Sequence, residues 1–101
     1  MQYIYILKLI PRLIDDNAWT EEDEAIVGRH FNKLQELQKT GKLILAGRTT
    51  NGGESQFGIV IIKADHDEAK YLMNEDPAVK EGIMTAELYP YSVALISESN
   101  V

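Results

Sequence analysis

The chain has 101 residues, which suits one domain, and a domain of that length buries only roughly 60–65% of its unfolded surface, so its core is thin and oligomerisation is a natural supplement. A net charge of −6 and a pI near 4.8 give a surface that repels phosphate, which disfavours nucleic acid and anionic membrane as partners. The absence of cysteine excludes disulfides, thiolate metal sites and thiol nucleophiles together.

Residues 2–10 are rich in tyrosine and isoleucine and read as a strand that Pro11 ends. The same stretch has no basic leader, is broken by Lys8 and precedes no small-residue cleavage site, so it is not expected to act as a signal peptide. No apolar run approaches the ~18 residues a membrane span needs, and a cytoplasmic protein is expected. Residues 11–19 form a connection with turn chemistry at Asp15-Asp16-Asn17. Thr20 followed by Glu21, Glu22 and Asp23 starts a helix: threonine caps, and acids in the first turn suit the helix dipole. Thr20 with Asp23 approximates a capping box. Ile26, Val27, Phe31, Leu34 and Leu37 recur near the helical period, and Lys39 with Gly41 marks the stop.

Leu43–Gly47 reads as a second strand, Asn51-Gly52-Gly53-Glu54 as a hairpin turn, and residues 57–62 as a third strand, apolar on both faces. Asp65 caps a second helix over 66–74. Asp76-Pro77 starts a further short helical turn, which Gly82 ends. Residues 84–95 read as a last strand in which Pro90 indicates an edge or a bulge.

The order β-α-β-β-α-β predicts an α+β domain of ferredoxin-like layout over residues 1–101, with two helices on one face of a four-stranded antiparallel sheet. The other face inherits Ile4 and Ile6 from the first strand and further bulky residues from the third. In a lone chain these would form a large apolar patch, so a second copy of the chain is expected to pack there.

Chemistry-bearing residues are few. His30 falls on the apolar stripe between Ile26 and Leu34. One reading is a core histidine with a satisfied hydrogen bond; the other is a general acid/base, because imidazole titrates closest to neutral pH. Asp76 is locally an N-cap, yet its second oxygen remains free to orient His30 and offset an imidazolium charge. Arg48, ending the second strand, is either a surface arginine or a bidentate anchor for a substrate carboxylate. Tyr5 is the tyrosine most expected to line a pocket; Tyr3, Tyr89 and Tyr91 read as core and interface. His66 lies among charged residues and reads as surface. Two histidines with scattered acids show no metal-ligand spacing, and no phosphate cradle or nucleophile elbow occurs, so no cofactor is expected.

The stretch Arg29-His30-Phe31-Asn32-Lys33-Leu34-Gln35-Glu36-Leu37-Gln38-Lys39-Thr40-Gly41-Lys42-Leu43-Ile44-Leu45-Ala46-Gly47, with Asp76-Pro77-Ala78-Val79-Lys80-Glu81-Gly82 further on, resembles the YciI-like family. The resemblance spans nearly the whole chain. It implies a ferredoxin-like fold, a dimer of the α+β barrel type related to muconolactone isomerase-like proteins, and a site built on His30 and Asp76. Some relatives are linked to breakdown of muconolactone-type compounds, including elimination of chloride. Arg48 stands where the family often has proline, the segment before the helix is long and acidic, and the chain runs on after Tyr89-Pro90-Tyr91.

Two functions follow as expectations. The first is a cofactor-independent enzyme in which His30 moves a proton on a small carbonyl- or lactone-type molecule, Asp76 holds its tautomer and Arg48 anchors a carboxylate. The second is a non-catalytic dimer that binds a small ligand or acts as an accessory protein, with His30 and Asp76 as a buried structural pair. A structural pair predicts a clear loss of thermal stability on mutation, and a catalytic pair little loss or a gain.

Overall fold

The computed structural model describes residues 1–97; the last four residues of the expected 1–101 domain lie outside that range. Strand β1 (Gln2–Leu9) alternates along its length. Tyr3, Tyr5 and Leu7 point to one face and are at most 5% exposed, whereas Ile4 and Ile6 point to the other and are half-buried. Helix α1 spans Glu21–Lys39, β2 Leu43–Arg48, β3 Gly58–Lys63, α2 His66–Glu75, the short α3 Pro77–Lys80 and β4 Met84–Tyr91. The sheet order is β2-β3-β1-β4, every neighbouring pair antiparallel, with the helices on one face: a ferredoxin-like α+β fold.

Alternation explains why the helices cover the face they do. Val60 and Ile62 of β3 lie opposite Tyr5 and Tyr3 of β1, and all four meet Leu34 and Leu37 of α1 and Ala69 of α2 in the main core. A second cluster joins Leu13, Ile26, Ala78 and Ile83 at the far end of α1. Gly41 ends α1 with φ of 78°, a left-handed conformation that a side chain would strain.

Element ends differ from the sequence reading for local reasons. The last strand stops at Tyr91, not 95: its ladder with β1 ends at the Gln2–Tyr91 pair, and the Met1 carbonyl before Gln2 accepts from the Ala64 N–H on the other side. Val93 N–H instead donates to the Gln2 side chain at 2.8 Å. Pro90 sits in β4, an edge strand, where a missing N–H is tolerated. Phe57 precedes β3 rather than opening it, because its N–H donates to the Thr49 hydroxyl and not to a strand backbone.

The connection 11–19 folds into two 3-10 turns, Pro11–Ile14 and Asp16–Ala18. Leu13 is 1% exposed and anchors the segment in the second cluster. Trp19 Nε1 donates to the Leu13 carbonyl at 3.0 Å. Arg12 grips Asp23 bidentately at 2.8 and 2.9 Å and also donates to the Ala18 carbonyl. The capping box is complete: the Asp23 N–H donates to the Thr20 hydroxyl at 3.1 Å, and the Thr20 N–H donates back to the Asp23 carboxylate at 2.9 Å.

Asp23 is therefore both helix cap and latch for the segment. The Arg12 hydrogen bonds, then that from the Thr20 N–H, hold its carboxyl well below the usual carboxylate range. A depressed folded pKa means its stabilising effect is full above the unfolded value of about 3.9 and is lost as pH falls through the folded one. Asp23→Asn should lower the melting temperature by roughly 4–8 °C at neutral pH, and the gap from wild type should shrink below about pH 4. Thermal melts of both proteins across pH 2–7 give the comparison; a gap that does not change with pH contradicts this account.

The sheet face away from the helices carries Ile4, Ile6, Ile59 and Ile61 in register, flanked by Leu45 and Tyr89, which are 42% and 44% exposed. Among the described residues no helix packs on it; Ile61 is buried there, and Ile4, Ile6 and Ile59 are half-buried.

Candidate functional site

His30 lies one helical turn from Ile26 and one from Leu34, which belong to the second and the main core clusters respectively. Its imidazole thus enters the seam between the clusters. Asp76 reaches the seam from the other side. It ends α2 and caps α3, donating its own N–H to the Leu72 and Met73 carbonyls and accepting from the Ala78 N–H at 3.0 Å. Pro77 places no donor at the first helical position, so the helix opens at once behind the carboxylate.

The two side chains meet: His30 Nδ1 is 2.6 Å from Asp76 Oδ1. Asp76 is 1% exposed and the His30 side chain 13%. Tyr5, in the middle of β1 and fully buried, donates its hydroxyl to Asp76 Oδ2 at 2.8 Å. Both carboxylate oxygens are therefore occupied, and no buried side-chain polar atom among the described residues lacks a partner. Burial first, then the Asp76 charge, pushes the Tyr5 phenol far above its ordinary range, so the hydroxyl stays a donor. With Asp76 accepting at Nδ1, neutral His30 carries its proton there, and Nε2 is left as the nitrogen with a lone pair.

That ring borders a cavity of about 650 Å³ between α1, the 11–19 segment and the β2–β3 hairpin end. The volume lies within the ~300–1,000 Å³ of small-molecule sites. Its walls are largely apolar, with His30, Arg48, Gln56 and Asp16 as the polar side chains.

The sequence-derived candidates thus separate. His30 and Asp76, 46 residues apart, are in contact. Arg48 lines the cavity and forms no ion pair among the described residues. Tyr5 does not line it: strand alternation turns the ring into the core, where a phenol needs a buried acceptor and finds Asp76. Phe31, expected with the core stripe, is 58% exposed and borders the cavity with Val27, one turn away on the same helical row. His66 is a surface residue whose ring meets that of Tyr3 edge-on, with centroids 5.8 Å apart. Trp19, Phe57 and Gln56 were not singled out from sequence. Trp19 and Gln56 come from connecting segments, where no periodicity tells which side chains turn inward, and Phe57, expected to open the third strand, precedes it.

A solved structure with the same fold is 5-chloro-2-hydroxyhydroquinone dehydrochlorinase from Burkholderia phenoliruptrix in complex with 2,5-dihydroxybenzoquinone; it superposes with a TM-score of 0.69 at 18% identity, covering 91% of this chain and 94% of that one. A search of curated protein sequences returns no match. The model of the YCII-related domain matches residues 1–91. With its fold, its contacting histidine and aspartate, and that match over nearly its whole length, the chain belongs to the YCII-related domain family.

Proposed function

We propose that this protein is a cofactor-independent acid/base catalyst acting on a small carbonyl- or lactone-type metabolite. The observation that carries the reading is the His30–Asp76 hydrogen bond of 2.6 Å at the wall of an apolar cavity. Asp76 fixes the imidazole with its lone pair on Nε2. A substrate carbon acid or hydroxyl placed against Nε2 loses its proton there, and the buried carboxylate offsets the charge of the imidazolium. The electron pair released from the C–H or O–H bond then forms a π bond. Either a leaving group departs with its own pair, or the proton returns to another atom as an isomerisation. The dehydrochlorinase of the same fold belongs to the first type by its name. Arg48 anchors an anionic oxygen of the substrate, since it is the arginine that lines the cavity and has no carboxylate partner among the described residues.

The alternative is a small-ligand-binding protein with a purely structural pair. Its support is that Asp76 is also the cap of α3. It does not explain why the imidazole borders a cavity instead of being enclosed. The test is a screen of hydroxyquinones, chlorinated hydroquinones, lactones and hydroxy acids, read by thermal shift and then by turnover in wild type and a His30 variant. Stabilisation with turnover that depends on His30 supports catalysis. Stabilisation without turnover by any stabilising compound supports the binding reading.

The open sheet face supports a homodimer in the same proposal; a cytoplasmic location, also part of it, is supported by the lack, among the described residues, of a helix long and apolar enough to cross a membrane. Ile4, Ile6 and Ile59 form a contiguous apolar strip wider than isolated surface residues require. Light scattering should return twice the 11.4 kDa chain mass. Ile6→Glu, which places a charge in the strip, should return the single mass with the fold retained. A wild-type monomer at micromolar concentration would remove this part of the proposal.

A further inference from the structure

Resting on the catalytic reading above, we propose that Tyr5 is a positioning residue: its hydroxyl takes up part of the Asp76 charge and fixes the carboxylate plane, so that Oδ1 aims at His30 Nδ1. The geometry leaves the carboxylate little choice. Oδ1 receives His30 at 2.6 Å and the Ala78 N–H at 3.0 Å, while Oδ2 receives Tyr5 at 2.8 Å. Donors on both oxygens define the plane; removing the donor on Oδ2 leaves only one side held. Tyr5 is fully enclosed and does not border the cavity, so it acts through Asp76 and never touches a ligand.

The chemical consequence has a direction. A hydroxyl on Oδ2 draws electron density from the carboxylate and makes Oδ1 a weaker acceptor. The pull of Asp76 on the Nδ1–H of His30 is thereby moderated, and less of it is passed through the ring to Nε2. A rigid carboxylate also holds the ring at one angle toward the cavity, the arrangement that histidine-orienting carboxylates provide elsewhere. Tyr5 is well suited to this because its position on a central strand fixes the ring and its hydroxyl remains protonated.

The test reads the shared Nδ1–H proton of His30 by NMR, with histidine labelled by nitrogen-15, so no turnover is needed. Tyr5→Phe should move that resonance downfield, because the carboxylate becomes a stronger acceptor. Replacing the tyrosines by 3-fluorotyrosine, whose hydroxyl is a stronger donor, should move it upfield. The second protein keeps every ring in place and carries the test if Tyr5→Phe does not fold. All five tyrosines are exchanged, but Tyr5 is the one hydrogen-bonded to the dyad. A resonance unchanged in the folded variants means that Tyr5 merely fills the core, and the proposal fails. With a substrate in hand, Tyr5→Phe should lower kcat about tenfold and leave KM within about twofold. A KM effect without a kcat effect would instead make Tyr5 a binding residue and overturn the assignment. If the proton moves as expected but no His30-dependent turnover exists, the positioning of the dyad stands and the catalytic reading falls.

Discussion

Asp76→Ala is expected to cost about 2–4 kcal/mol of folding stability, from the buried donors it leaves without an acceptor and the helix cap it removes. The carboxylate has three donors, and its loss strands each differently. The Tyr5 hydroxyl is left fully buried without an acceptor, which alone costs about 1–3 kcal/mol. The Ala78 N–H loses its cap, worth about 1 kcal/mol, and His30 loses the group that held its ring. These effects share one side chain and do not add in full. Since a protein of this size has roughly 5–15 kcal/mol in total, the melting temperature should fall by at least about 8 °C. Asp76→Asn keeps one acceptor oxygen, which in the Oδ1 position serves both His30 and Ala78, and should fall between the alanine variant and wild type. A change of less than about 1 kcal/mol in urea unfolding of Asp76→Ala would contradict the buried network.

That result bears on how the two functional readings are separated. From sequence, a stability loss in either mutant is expected to mark a structural pair. The structure makes Asp76 unsuited to that test, because it is tied to β1 and caps α3 whatever His30 does. A large loss at Asp76 is common to both readings. The discriminating position is His30, whose ring borders the cavity and whose hydrogen bond among the described residues is the one to Asp76.

What was readable in the chain follows from the range of each physical rule. Alternation of period two in residues 2–9 and the 3.6 period from Ile26 to Leu37 act within one element, and they gave the strands, α1 and the ferredoxin-like order. Caps are local too, so Thr20, Asp65 and Asp76 each mark a helix start that the structure contains. His30 stood out because a polar ring on an apolar stripe needs a partner. The identity of that partner is a tertiary fact. No rule of spacing links residue 30 to residue 76: the predicted layout, with both segments over one sheet, makes contact possible, and the family resemblance implies it.

The same limit explains the misplacements. A helical wheel shows that Phe31 shares the apolar side of α1, but not that the 11–19 segment stands off from the hairpin and leaves a cavity there. Arg12 was passed over because nothing in Pro11-Arg12-Leu13 foretells that Asp23 would serve two partners at once. Tyr5 was assigned to a pocket although its face of the strand was legible. A phenol on that face must end in the core, and the acceptor there came from a segment 71 residues away.

His30→Gln should therefore leave the fold in place and remove the chemistry. A glutamine amide can offer an N–H toward Asp76 in place of Nδ1, and the carboxylate keeps its other two donors. The stability change should stay within about 1 kcal/mol, since the His30 side chain is partly exposed and contributes one hydrogen bond. No group in glutamine replaces the Nε2 lone pair, so the turnover of any substrate found for the wild type should fall by about 10²–10⁴-fold. Ligand-induced stabilisation should persist, because Arg48 and the apolar walls are untouched. The pattern is specific: stability kept, binding kept, rate lost. A structural histidine would show the reverse order, with the melt shifted and no rate to lose. Equal turnover in His30→Gln and wild type would place the base elsewhere in the cavity, where Asp16 is the carboxylate that borders it.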